Sequence, residues 1–251
     1  MADMSRLPRE VIQHVYGAKL PKRYGGFGET VLSLKDRALE ELFLCVDRQV
    51  LLGSLAAVGS FTRLKGLELQ VRTDREEQAL DLAAMVSLPA LKRLQCSFWG
   101  TVELRGGALL PQLTSLSFTT TEHEHRPAVA QRLLQAAPPS VSHLGVGGIE
   151  RICSQPPPFA WVPHVTSLSC SSPAIIPHLG PLAQLQHLKL RWCSADGLTK
   201  KHMERLCGVS TLRRLSFAKT QGTSGTAALR RIQELVTVLP AGCIIEHPVW
   251  G

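Results

Sequence analysis

The densest group of side chains able to bind a metal or move a proton is Glu122-His123-Glu124-His125. Imidazoles at alternate positions can chelate, but a zinc-type site needs further ligands at a recognisable spacing, and none follows. Pro127 stands two residues on, so the tetrad reads as a solvated loop. Nucleophile and phosphate motifs are missing as well: the chain has no Gly-x-Ser-x-Gly elbow, no His-Glu-x-x-His and no P-loop. Gly145-Val-Gly-Gly148 is glycine-rich but does not open a helix beside a charged partner. The expectation is a protein without a catalytic residue, a bound metal or a cofactor, and therefore not an enzyme.

Binding chemistry is better provided for. His187, Lys189, Arg191 and Arg214 form a basic group late in the chain, whereas Glu41, Phe43 and Glu68 form an acidic and aromatic group early in it. Between them lie small residues, among them Ser115, Ser117, Gly145, Gly147, Ser167 and Ser169. All of these alternate with apolar residues, the period of a strand with one wet face. A smooth floor with charge at its ends suits a protein partner: the small groups admit close approach and the cations anchor acidic side chains or phosphate.

The alternation belongs to a repeat. An aliphatic residue, two variable positions, an aliphatic, one variable position and an apolar residue recur at Leu39–Leu44, Leu64–Leu69, Leu91–Cys96, Leu113–Phe118, Val141–Val146, Val165–Cys170, Leu185–Leu190 and Leu212–Phe217. The central leucines at 42, 67, 94, 116, 144, 168, 188 and 215 are separated by 25, 27, 22, 28, 24, 20 and 27 residues. These spacings leave room for one strand and one return segment per repeat. Helical returns are expected at Asp74–Val86, Arg126–Ala137, Asp196–Cys207 and Thr223–Val238, the last burying Leu229, Ile232, Leu235, Val236 and Leu239. Pro173–Pro181 predicts a tight extended return, and Gln155-Pro-Pro-Pro-Phe159 a loop off the regular path.

Over roughly residues 39–245 the pattern resembles that of leucine-rich-repeat proteins, in particular the ribonuclease-inhibitor-like and F-box-linked groups. The resemblance implies an α/β solenoid, a horseshoe with a parallel concave sheet and helices or irregular returns on the convex side. It also implies that the alternating residues named above line the concave face. The family's Asn or Cys, three residues after the last apolar position, is here Asp47, Arg72, Trp99, Thr121, Ile149, Pro173, Cys193 and Thr220. Only Cys193 fits, so an asparagine ladder is absent and the repeats are degenerate.

Residues 31–251 are therefore expected to hold about eight repeats and a C-terminal cap, with Cys243-Ile244-Ile245 as a closing strand and Thr30–Leu34 as a leading one. Residues 1–30 are expected to supply a capping helix and a basic loop, Lys19–Gly28. Leu7-Pro-Arg-Glu-Val-Ile-Gln-His-Val15 resembles the opening of an F-box, which implies a ubiquitin-ligase adaptor as an alternative function. The turn Gly25-Gly-Phe-Gly28 comes too soon for the remaining helices of that module.

The whole chain carries 28 Lys and Arg against 20 Asp and Glu, a formal +8 that draws it to acidic proteins or nucleic acid. No motif supports nucleic acid, although a structural subunit of an organellar or ribonucleoprotein assembly is a third class that fits the charge. Seven cysteines without a Cys-x-x-Cys pair point to a reducing, intracellular compartment, cytoplasmic or nuclear. Arg6, Arg9, Lys19, Lys22 and Arg23 keep a mitochondrial signal as the alternative, against which Asp3 and Glu10 count. No apolar run is long enough to span a membrane, and the oligomeric state is not readable from the pattern.

Overall fold

The computed structural model describes residues 40–47, 62–72, 78–81, 88–99, 102–105, 109–120, 126–148, 159–191, 193, 195–217 and 225–246. The F-box-like segment, the basic loop, the leading strand, the Glu122–His125 tetrad and the triple-proline loop lie outside these residues.

In chain order the strands are β1 (Glu41–Asp47), β2 (Gly66–Arg72), β3 (Gln78–Asp81), β4 (Arg93–Trp99), β5 (Val102–Arg105) and β6 (Ser115–Thr120). They continue with β7 (His143–Gly147), β8 (Ser167–Cys170), β9 (His187–Leu190), β10 (Arg214–Phe217) and β11 (Ile244–Glu246). Nine of them form one open sheet in the order β1-β2-β4-β6-β7-β8-β9-β10-β11, with every pairing parallel. This α/β arrangement, in which each strand pairs with its counterpart in the next repeat, is compatible with a repeat solenoid.

The register is the repeat itself. Leu42, Leu67, Leu94, Leu116, Leu144, Leu168, Leu188, Leu215 and Ile245 are successive Cα partners, so the central leucines form one continuous row across the sheet. A slip by one residue would turn that row outward, which is why the register is so strongly specified. From Leu42 to Leu215 the row is buried, as are Cys96 and Cys170 at the last motif position.

One further ladder ties the repeats together, and a three-residue turn recurs within each. The carbonyl of the second motif residue accepts two N–H groups from the following repeat: Lys92 O from Thr114 and Ser115, Thr114 O from Ser142 and His143, and Ser142 O from Thr166 and Ser167. Just before each strand the first motif residue donates back three positions, as in Leu113 to Leu110, Val141 to Pro138, Val165 to Val162 and Leu212 to Val209. Polar side chains just before the motif add further bonds between repeats. Gln112 reaches Leu88 O at 2.8 Å, Ser140 reaches Leu113 O at 2.6 Å and Thr211 reaches Leu185 O at 2.7 Å. Each such bond between repeats contributes about 1 kcal/mol.

The return segments differ more from expectation. Helix α1 (Arg126–Ala136) buries Val129, Ala130, Leu133 and Leu134 as its periodicity predicts. Over Asp74–Val86, where a helix is predicted, residues Gln78–Asp81 form β3 instead and pair in parallel with β5. Leu80 there aligns with Leu104, so a partner strand in the neighbouring return satisfies the backbone and overrides the local helical spacing. The predicted helix Asp196–Cys207 is divided: a 3-10 turn covers Ala195–Gly197, and α2 (Lys200–Cys207) starts afresh behind Thr199. Thr199 accepts from the His202 N–H at 3.2 Å while the His202 ring accepts from the Thr199 N–H, a capping box that sets the start.

Pro173–His178 is a 3-10 helix rather than an extended return, with Ser172 as its cap and Pro173 in the first turn. Its fixed proline φ suits that turn, and it buries Ile175 and Ile176. Helix α3 (Gly225–Val238) buries Ala228 and Leu235, but Leu229 and Val236, expected in the core, are 62% and 66% exposed. They stand about 100° around the helix from the buried row. The neighbours of α3 are α2 and the turn Ala195–Gly197, both from the preceding repeat, which cover one flank of it. Among the described residues no helix is long and apolar enough to cross a membrane.

Candidate protein-docking face

Alternation places every second strand residue on the face opposite the leucine row. Across the sheet one line on that face runs Glu41, Gly66, Arg93, Ser115, His143, Ser167, His187 and Arg214. The next runs Phe43, Glu68, Gln95, Ser117, Gly145, Ser169, Lys189, Ser216 and Glu246. The predicted site residues therefore share a face but form two groups. Phe43 is placed by its backbone register alone. From β2 to β9 is five strand steps, about 24 Å at ~4.8 Å per step.

At the early end the carboxylate of Glu41 pairs with the guanidinium of Arg93, two strands away. Gly66 occupies the position between them, and a Cβ there would lie 1.8 Å from Glu41 Oε2. The missing side chain is what lets the ion pair bridge the intervening strand. Glu41, Gly66, Glu68, Arg93, Gln95 and Ser117 line a recess of about 170 Å³. Arg93 and Gln95 were not singled out by the reading of the sequence, although the repeat register marks them as equivalents of Glu41 and Phe43.

In the middle two glycines lie close against neighbours. A Cβ on Gly145 would meet Ser117 Cβ at 2.8 Å, and one on Gly147 would meet Thr119 Oγ1 at 2.7 Å. One hydroxyl–imidazole contact sits here, Ser142 Oγ to His143 Nδ1 at 2.8 Å. A nucleophile–base pair needs a third group to orient the ring, and among the described residues no carboxylate pairs with His143.

The late end differs from the sequence reading in one respect. His187 and Lys189 lie on this face of β9, and Arg191 is the turn residue that follows the strand; all three are exposed. The Nε–H of Arg191 donates to Ser169 Oγ at 2.7 Å, and its backbone N–H donates to Cys170 O. Arg214, expected as a free anchor, is instead paired with Glu246 at 3.2 Å, and Ser216 donates to the same carboxylate at 2.6 Å. Glu246 escapes a sequence reading that ends the closing strand at Ile245, yet it is in register with Ser216. Ser167 and Ser169 are half-buried beside His187 and Lys189.

Burial pushes the Cys96 thiol up to about 12. Burial, aided by the charge of Asp196, holds Cys193 at about 11. Neither thiol is a nucleophile near neutral pH. Among the described residues no three His, Cys, Asp or Glu side chains are grouped to hold a metal ion. No family model matches the chain, and no curated protein matches it.

Proposed function

We propose that the chain is a leucine-rich-repeat module, a horseshoe whose concave sheet face docks a protein partner without catalysing a reaction on it. The observation that carries this reading is the exposed basic group of His187 and Lys189 on β9 and Arg191 just after it, standing beside a floor of serine and glycine. Cations there find no carboxylate among the described residues, while the floor offers close approach and backbone-level contact. Nine strands span eight steps, about 38 Å, and at ~3.3 Å per residue their lengths average about 17 Å. That footprint is of the order of the ~800 Å² that one side of a specific interface covers. The partner it fits carries acidic groups where it meets β9 and a basic or amide group where it meets the recess around Glu68.

Affinity purification from the source cells tests it, with wild-type protein beside a Lys189→Glu, Arg191→Glu double variant. Both residues are exposed, so the variant keeps its melting temperature. A defined partner that the wild type retains and the variant loses is the expected result. The same partners on both proteins overturn the assignment of the face.

A further inference from the structure

Lys189 on β9 and Arg191 in the turn after it are linked through the neighbouring strand. Arg191 turns its side chain sideways to Ser169, and Ser169 is the register partner of Lys189 on the adjacent strand. The guanidinium is thereby drawn back over the position beside Lys189, at a strand spacing of about 4.8 Å. One cation thus reaches Ser169 and the other is mounted on the residue paired with it in register, an arrangement that suits an anion lying between them. The acidic group closest along that line of the sheet, Glu246, lies two strands away and is already held by Arg214 and Ser216. His187, two residues before Lys189 on the same face, adds a third donor about 6.6 Å along the strand.

Resting on the docking face proposed above, we infer that Lys189, Arg191 and Ser169 form a receptor for a single phosphorylated side chain of the partner. The donor inventory suits a phosphoryl group. With Nε–H engaged by Ser169, Arg191 keeps the four N–H groups of its terminal nitrogens, aimed by that hydrogen bond. Ser169 accepts from Arg191 and retains its own O–H to donate. Lys189 supplies three more donors and the second positive charge. A phosphomonoester brings about −1.5 to −2 of charge and three acceptor oxygens, matching two cations, whereas a carboxylate brings one charge. Nucleic acid needs a basic track that follows its backbone. The line through Lys189 instead runs Ser117, Gly145, Ser169, Lys189, Ser216 and then acidic Glu246, with a single cation in it.

The test titrates the isotope-labelled full chain with N-acetyl-O-phosphoserine methylamide, and in parallel with the corresponding glutamate derivative and a short single-stranded oligonucleotide. Saturable amide shifts at Ser169, Lys189 and Arg191, with at least tenfold tighter binding of the phosphoserine probe than of the glutamate probe, are expected. Lys189→Ala and Arg191→Ala each weaken it tenfold or more, and Ser169→Ala two- to fivefold. Equal affinity for glutamate, tighter binding of the oligonucleotide, or unchanged affinity in the two cation variants each overturns the inference. Phosphatase treatment of the purified partner separates this inference from the docking reading. A partner lost on Lys189→Glu, Arg191→Glu but indifferent to phosphatase leaves the face standing and removes the phosphate receptor; a partner indifferent to the charge reversal removes both.

Discussion

Two glycines with left-handed backbones allow a prediction in which strain and collision are separated. Gly148, just after β7, has φ 79°, and Gly242, before β11, has φ 81°. The added Cβ of alanine meets nothing within 4 Å at Gly242, but at Gly148 it falls 2.0 Å from the carbonyl oxygen of Thr120. The left-handed conformation costs an L-residue about 1–2 kcal/mol. Alanine recovers about 0.4–1 kcal/mol by restricting the unfolded chain, so Gly242→Ala should destabilise by roughly 0.5–1 kcal/mol. Gly148→Ala bears the same balance plus the collision with a backbone atom at the end of β6, which no rotamer change relieves. Forcing such a shift adds about 1–3 kcal/mol, for a total near 2–4 kcal/mol. Urea titrations of both variants beside the wild type measure the difference. Equal losses would show that the close approach of the chain after β7 to β6 is not what the register implies.

Three other outcomes follow from the same geometry. The His202 ring accepts the Thr199 N–H, and burial, then Lys201, holds its pKa below the ordinary value. The neutral ring is the folded form, so its contribution is complete above pH 6.5 and fades as pH falls through that value; thermal melts at pH 7.5 and 5.5 should diverge less in His202→Gln, which keeps a non-titrating cap. Thr120 is 4% exposed and its hydroxyl has no partner among the described residues, so Thr120→Val should leave stability unchanged or raise it by up to ~1 kcal/mol, read from denaturant midpoints. With Cys96 at about 12 and Cys193 at about 11, native iodoacetamide labelling followed by peptide mapping should modify exposed Cys207 well before either, and labelling of Cys96 at the rate of Cys207 would contradict its burial.

The sheet was legible in the sequence because its information is local and repeated. A two-residue alternation fixes which side chains turn inward, and eight copies leave one register that aligns Leu42 through Leu215. The return segments were less legible because their conformation depends on what lies beside them. Gln78–Asp81 becomes a strand through Val102–Arg105, and Leu229 and Val236 stay exposed because α3 has neighbours on one flank. At the candidate site the alternation identified the face and its basic strand. Pairing across strands was harder to see: the Glu41–Arg93 bridge depends on the bare position at Gly66, and the capture of Arg214 depends on Glu246 in a three-residue closing strand. Both follow once residues at the same repeat position are read as neighbours.

The central claim is that a partner lies against the sheet face and not against the outer helices. Photo-crosslinking tests it most directly, with a benzophenone side chain placed at Ser117 on the floor in one variant and at exposed Gln233 on α3 in another. A discrete cross-linked partner from position 117, suppressed by Lys189→Glu, Arg191→Glu, and none from position 233 is the expected result. A partner captured from position 233 and not from 117 would contradict it.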